Sequence, residues 1–451
     1  MTEKDNSISR RTIIKTTGVA AAAGLAGCGG GGNGNGNGGN GNGNGGNGNG
    51  NGGNGNGNGG NGNGMASGTV EILHAWSGGD GANALQALID GFESDSITVN
   101  DEVVEGAARS NLVQVIQNNM SSGNPPSTWQ AWPGKNLLRF TPDQYGDLEG
   151  DVWNDDLKNN YLPGPREQAQ VDGKFVAVPL NIHRINNLFY NNNVLEEAGV
   201  DPSSFSQPSD LTEALDTVAN ETDATPFAHA NAAWTAGQLW ETVFLAQSGE
   251  SAYNNYINGD GNEDPVTSAL ETVNAYMDYM PDDASSINFT EANSRFQNDE
   301  AAFIHQGDWA AGAYAGNDDF VYGEDWGHMA FPGSEEYYAL NMDSFPFPAD
   351  APSPEATKEF LSYCGSTDAQ IRFNREKGSI PPRSDADVSQ LNEFQQDQFD
   401  DFTSSESQPP SIQHGLAVVP PVLTNYGNAF SSFIENRNVS NTVDQLLNAF
   451  N

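Results

Sequence analysis

Thr69-Val70-Glu71-Ile72-Leu73-His74-Ala75-Trp76 runs into Ser77-Gly78-Gly79-Asp80-Gly81, and the junction between the two decides the fold. The first eight residues are rich in the β-branched and aromatic side chains that suit a pleated, half-buried strand. The glycines then free the backbone for a turn. After them Leu85, Leu88, Ile89 and Phe92 fall on one face of a helix. Outward from this unit, Leu112, Val113, Ile116 and Met120 repeat the helical spacing, and Lys174–Pro179 and Ala301–His305 read as further strands. Helices are expected at about 209–220, 235–248, 265–280, 353–364, 421–434 and 440–450. Strands alternating with helices on this scale argue an α/β class with sheets covered on both faces. The roughly 387 residues after Gly64 exceed one comfortable core, so two lobes are expected.

Upstream of that unit the chain reads as an address and a tether. Ser9-Arg10-Arg11-Thr12-Ile13-Ile14-Lys15 has the S-R-R-x-x-x-K form of a twin-arginine signal. The apolar stretch from Thr16 to Ala26 is too short to span a membrane and suits a signal's apolar region. Leu25-Ala26-Gly27-Cys28 resembles a lipobox, which makes Cys28 the expected lipidation site and residues 1–28 the signal. Residues 29–64 are only Gly and Asn, a composition with nothing to bury, and are expected to be a disordered linker. Such a coil spans roughly 30–36 Å.

The formal net charge is −42, and beyond Cys28 only 14 basic residues face 58 acidic ones. Nucleic acid and anionic lipid surfaces are therefore excluded as expected partners. Eight Trp and the periodic apolar segments separate this chain from acidic disordered ones. Molar salt shortens the Debye length to about 3 Å, so such a surface fits an extracytoplasmic protein of an extreme halophile. With Cys28 acylated, Cys364 has no partner, which leaves no disulfide and no Cys-based metal site. Cys364 reads as a small buried helix residue.

Nucleophile elbow, Walker A loop, H-E-x-x-H and dinucleotide fingerprint are all missing, and no cofactor or metal is expected. Asn258-Gly259-Asp260-Gly261-Asn262-Glu263-Asp264 lacks the terminal glutamate of a calcium loop and reads as an acidic turn. The chain does place aromatics beside isolated polar residues at strand ends: Trp76 with Asp80, Gln130 with Trp132, Asp308 with Trp309. Flat rings pack on the C–H face of a pyranose, while carboxylates, amides and ammoniums satisfy its hydroxyls. Each aromatic alone is more often core than site, and Trp234 and Trp240 are assigned to the core.

Seven segments occur in order: P-S-T-W-Q-A-W-P-G (126–134), V-P-L-N-I-H-R-I-N (178–186), A-A-W-T-A-G-Q-L-W-E (232–241), Q-G-D-W-A-A-G (306–312), M-D-S-F (342–345), E-K-G-S-I-P-P-R (376–383) and Q-H-G-L-A (413–417). In these the chain resembles the family 1 extracellular solute-binding proteins of ABC importers, above all the glucose/mannose-type sugar-binding lipoproteins. The resemblance covers nearly all of 67–451. It implies a two-lobe periplasmic-binding-protein-like fold of type II whose lobes are joined by crossing hinge segments. Crossings are expected near Pro179–Arg184, Met342–Phe345 and Gly378–Pro382, with lobe 1 at 65–181 and 345–378 and lobe 2 at 182–344 and 379–451.

By the same resemblance Trp76, Asp80, Gln130 and Trp132 face the ligand from the first lobe, and Trp309 is the stacking floor of the second. Phe289 matches a position that is often Trp. Asp343 and Lys377 are the charged hydroxyl clamps, and His414 is a further polar contact. His183, beside Arg184, either lines the cleft or hydrogen-bonds at the hinge. Lys377 is one of only five lysines after the signal, which favours a partner for it. Asp80 stands where similar proteins tend to carry Glu, and Trp132 replaces a smaller polar residue.

The function implied is a monomeric receptor, anchored through Cys28 to the outer face of the cytoplasmic membrane. It closes on a monosaccharide or short oligosaccharide and delivers it to the permease subunits of an ABC importer. The same fold could serve a polyol, a peptide or a metal chelate. A secreted carbohydrate-active enzyme would need two carboxylates about 5–9.5 Å apart around a scissile bond, and nothing marks Asp80 and Asp343 as such a pair.

Overall fold

The computed structural model describes residues 66–77, 79–106 and 109–451; the twin-arginine stretch, Cys28 and the Gly/Asn tract lie outside the described residues. The opening unit is strand β1 (Gly68–His74) followed by helix α1 (Gly79–Asp90). Then come β2 (Ile97–Val103), α2 (Ser110–Ser122) and β3 (Thr128–Trp129). The three strands form a parallel sheet in the order β2-β1-β3. α1 buries Ala84, Leu85 and Leu88, with Ile89 and Phe92 half-buried against the same core. Each buried leucine stabilises this face by about 1.5–3 kcal/mol. β2 is an edge, and Asn100, Asp101 and Glu102 along it discourage pairing with another chain.

The expected strand Lys174–Pro179 is divided. Lys174–Phe175 closes a hairpin with Gln170–Val171, whereas β4 (Ala177–Pro179) pairs elsewhere. After β5 (His183–Arg184) come β6 (Asn187–Asn191), β7 (Thr225–Phe227) and the long helix α3 (Ala233–Ile257). Next are α4 (Phe289–Gln297), β8 (Ala301–Gln306), α5 (Trp309–Tyr314) and β9 (Trp326–Ala330). The second sheet runs β9-β6-β8-β7 and is mixed, parallel only between β8 and β7.

The chain returns through β10 (Leu340–Asn341) and β11 (Ser344–Pro346) into α6 (Pro354–Cys364) and α7 (Thr367–Lys377), and α8 (Pro420–Asn436) lies near its end. β11 pairs with β4 and β10 with β5, so the outgoing and returning segments hydrogen-bond to each other. Leu180 N–H donates to Asp343 carbonyl at 2.9 Å, and Ile182 exchanges bonds of 2.8 and 3.1 Å with Ile380. These are the three segments expected to cross, and they lie side by side.

One apolar core gathers Val70, Ile72, Leu85, Leu88, Phe345, Phe360 and Phe373. Another gathers Leu188, Leu215, Trp240, Phe303, Tyr426 and Phe430. This is the α/β, two-lobe architecture of solute receptors. Trp240 belongs to the core as expected, and Cys364 is fully buried and free. Seven helices among the described residues escaped the periodicity: Asp155–Asn160, Pro163–Gln168, Asn192–Ala198 and α5 are too short to show a period, and α4, α7 and Glu393–Ser404 mix polar residues into the apolar face.

Candidate ligand-binding site

β1 ends one residue pair before Trp76, and the turn into α1 brings Asp80 to the mouth of the helix. Trp76 lies over Gly81, where any Cβ would strike its ring, and packs edge-on against Phe345 at 6.3 Å and tilted against Phe373 at 5.6 Å. His74 sets its backbone: Trp76 N–H donates to Nδ1 at 3.2 Å, so His74 Nε2–H donates to Asp101. Gln130 follows β3, and its Oε1 accepts from Ala75 N–H at 3.0 Å while its Nε2 donates to Asp343 at 3.0 Å. One glutamine thus ties the first sheet to the returning strand.

On the other side Asp308 is fully buried between β8 and α5. It accepts from His183 Nδ1 and from Arg184 N–H at 3.2 Å. His183 Nε2 faces Asn181 at 2.9 Å and Asp343 at 3.7 Å. Burial alone would lower the His183 pKa, but the charge and hydrogen bond of Asp308 outweigh it and hold it above the ordinary value. Asn181, whose Oδ1 accepts from Asp343 N–H at 2.7 Å, offers its NH₂ to Nε2 and so resists the imidazolium. The carboxylate wins because a full charge outweighs an amide dipole.

Asp343 is buried, which would raise its pKa. His183, Lys377 and Arg109 reverse this and hold it well below the usual carboxylate range. Lys377 ends α7 and pairs with Asp80. Burial would discharge it, but Asp80 and Asp343 keep its pKa above the ordinary value. The pair is aligned by Gly378, which turns the chain at φ 75° where a Cβ would sit 2.5 Å from Gly312 N of α5. A side chain at this position would push α7 away from α5 and carry Lys377 with it.

Trp309 opens α5, donates to Gln306 at 3.2 Å and meets His183 and His414 edge-on at 5.3 and 5.6 Å. Trp132 lies between the Arg109 guanidinium, 4.0 Å from its ring centroid, and the edge of His414. Phe289 is 40 % exposed and meets Trp234 edge-on.

All ten residues singled out (Trp76, Asp80, Gln130, Trp132, His183, Phe289, Trp309, Asp343, Lys377 and His414) line one cavity of about 410 Å³. For His183 both open alternatives hold together, since it lines the cavity and hydrogen-bonds at the crossing strands. Trp234 is a correction: half-buried rather than core, it lines the same cavity. It opens α3 beside the exposed Phe289, so its ring has no second layer to cover it.

Arg109, Asn341 and Gln413 also line the cavity and were not foreseen. Arg109 donates to Gln130 carbonyl at 2.9 Å, and its Nε and Nη1 have no hydrogen-bond partner among the described residues. Asn341 Oδ1 and Gln413 Oε1 likewise have none among the described residues. Burial lowers the Arg109 pKa to about 10, so it stays charged at neutral pH. The rarity that marked Lys377 applies to Arg109 too, one of nine arginines after the signal, and Gln413 adjoins His414 in its motif. Among the described residues no group of His, Cys, Asp or Glu could hold a metal, and no helix is long and apolar enough to cross a membrane.

Two sheets joined by crossing strands around one aromatic, charge-balanced cavity define a solute-binding protein of the two-lobe class. The chain belongs to the bacterial extracellular solute-binding protein family, whose model matches residues 87–399. It is 44% identical to the xylose/arabinose-binding protein XacG of Haloferax volcanii, over 99% of this chain and 98% of that one. It is 32% identical to an uncharacterised ABC transporter extracellular-binding protein of Pyrococcus horikoshii, over 84% and 87% of the two chains. Among solved structures, one from work on xylan utilization by Caldanaerobius polysaccharolyticus superposes with a TM-score of 0.75 at 16% identity, covering 85% of this chain and all of that one.

Proposed function

We propose that the protein captures a neutral aldose by lobe closure and delivers it to an ABC permease, and that it is not an enzyme. A pentose such as xylose or arabinose comes first, on the likeness to XacG, with glucose, mannose or a short oligosaccharide next. The observation that carries this reading is the convergence of four tryptophans with Asp80–Lys377 and Asp343–His183 on one cavity. The flat rings offer faces to a sugar's C–H surface, and the near balance of acidic and basic groups suits a neutral polyhydroxy ligand. In this reading Trp309 is the stacking floor, Asp343 and Lys377 clamp hydroxyls, and Trp76, Asp80, Gln130, Trp132, His183, Phe289 and His414 complete the shell. Asp343 held ionised and His414 held neutral leave neither poised to donate a proton, which supports binding over hydrolysis.

The lobes divide at 181/182, 344/345 and 378/379. The mature protein is a monomer that begins at an acylated Cys28 and is held at the outer face of the cytoplasmic membrane by the Gly/Asn linker. The acidic surface fits a high-salt setting, as in a halophilic archaeon. The test is a thermal-shift titration in about 3 M KCl against xylose, arabinose, glucose, mannose and a polyol, with Trp309→Ala beside the wild type. A sugar at a hundred times its Kd raises Tm by about 3–5 °C in the wild type and not in the variant. A response only to non-sugars sinks the sugar assignment.

A further inference from the structure

Two of the seven motifs meet in space outside the cavity's inner surface. A-A-W-T-A-G-Q-L-W-E ends on Glu241, and Q-H-G-L-A contributes Gln413 and His414 to the cavity wall. Gly237 in the first motif leaves room for the second, since a Cβ there would sit 2.5 Å from Gln413 Oε1. Glu241 is only 1% exposed and caps the turn at 411–414. Its carboxylate accepts from Ile412 N–H at 2.6 Å, Gln413 N–H at 3.3 Å and the Ser411 hydroxyl at 2.8 Å. Tyr253's hydroxyl is shared between Glu241 at 3.3 Å and Pro410 carbonyl at 2.8 Å.

Ser411 Oγ also lies 2.8 Å from His414 Nδ1 and accepts from His414 N–H at 3.2 Å. A hydroxyl has one proton, and an ionised carboxylate can only accept. With Glu241 ionised, Ser411 therefore donates to Glu241 and accepts from His414 Nδ1–H. The ring, held neutral, then turns an unprotonated Nε2 outward. Nε2 has no hydrogen bond to a described residue, and the ring lines the cavity. With Glu241 protonated, its O–H donates to Ser411, the hydroxyl turns to Nδ1, and the imidazole proton moves through solvent to Nε2. One proton is taken up in all, at Glu241.

We propose that Glu241 is a positioning residue that acts through Ser411 to set which nitrogen of His414 carries the proton. It thereby determines whether the cavity offers this histidine to a ligand hydroxyl as acceptor or as donor. The binding part of this rests on the sugar reading above. Burial raises the Glu241 carboxyl to about 7 against the pull of its hydrogen bonds, with no cationic partner among the described residues, so the exchange falls near neutrality. The titratable groups facing it are Tyr253 and Tyr256 on α3, Tyr426 on α8 and, beyond Ser411, His414. Burial, with the charges of His183 and Arg109, lowers the His414 pKa to about 3, so the ring stays neutral while Glu241 titrates.

The experiment is imidazole ¹⁵N NMR on the full ¹⁵N-histidine-labelled chain, without ligand, from well below to well above neutrality. Wild-type His414 should pass from the Nε2–H to the Nδ1–H tautomer as pH rises. Glu241→Gln can turn its amide N–H to Ser411 Oγ and so imitates the protonated acid. It should hold Nε2–H throughout, while Ser411→Ala, which keeps the two backbone donors to Glu241 but cuts the relay, should lose the pH dependence. Sugar affinity by calorimetry should carry a step of about tenfold near neutrality in the wild type that Glu241→Gln lacks, while the slope that His183 adds is common to both. A wild-type His414 fixed in one tautomer, or a Glu241→Gln that titrates like the wild type, overturns the relay. Failure to bind any sugar with the tautomer change intact counts against the sugar reading alone.

Discussion

Two buried carboxylates serve the same cavity, and they are held in opposite ways. Asp343, on the returning segment, faces His183, Lys377 and Arg109, three cationic groups that together overcome its desolvation and keep it ionised. Glu241, under the 411–414 turn, has hydrogen-bond donors and no cation among the described residues, and burial leaves its pKa near 7. Hydrogen bonds to neutral donors moderate the cost of a buried charge, whereas counter-charges reverse it. The histidines follow suit. His183 beside Asp308 is pushed toward the imidazolium, while His414, reached through a serine, is pushed to about 3. One side of the cavity is a locked ion network, and the other is neutral and adjustable.

The largest effect should come from the locked side. Asp343→Asn keeps the shape but strands His183, Lys377 and Arg109 without their shared anion. Ligand affinity by calorimetry is expected to fall about 100-fold, as for a charged hydrogen bond worth about 3 kcal/mol. A loss under threefold would mean that the network does not serve the ligand.

The adjustable side predicts a stability effect. Glu241's folded pKa is raised, so its contribution is present below the unfolded value of about 4.5 and is lost as pH climbs to about 7. His414's folded pKa is lowered, so its contribution is present above about 6.5 and is lost as pH falls toward 3. Between about pH 5 and 6.5 the two slopes cancel. Glu241→Gln removes one of them, so its unfolding free energy should rise with pH about 1.4 kcal/mol per unit more steeply than the wild type's. Denaturant titrations at several pH values read this directly, and parallel profiles would remove the contrast between the two sides.

Asp308→Asn sharpens the comparison with a smaller change. Without that charge, burial governs His183 and its pKa should drop below the ordinary value. Affinity at neutral pH should weaken about tenfold, because Asp343 loses one of its cations. A His183 pKa that remains high by NMR would assign its charge to Asp343 instead.

Much of this was legible in the chain because strand ends are written locally. Trp76 and Asp80 follow from one strand, one glycine turn and one helix face, and Trp132, Trp309 and Lys377 stand in motifs at element boundaries. Trp234 was misread because an aromatic inside an apolar helix motif looks the same whether or not a second layer covers it. Arg109 was passed over although it stacks on Trp132, because the two positions belong to separate elements and their contact has no sequence spacing. α7 was missed as a helix because Lys377 and Asn374 are buried polar residues that interrupt its apolar period.

What the sequence by itself determined was local: the strand–turn–helix opening, the aromatic and charged residues beside the turns, the excess of acid and the alternation that makes an α/β fold. Those properties depend on neighbours within a few residues. The charge states in the cavity were decided by tertiary structure alone. A carboxyl's pKa depends on what lies within a few ångströms after folding, and Asp343 meets His183, Lys377 and Arg109, while Glu241 meets a serine and two backbone amides. No spacing along the chain distinguishes those two carboxylates; their partners come from other segments.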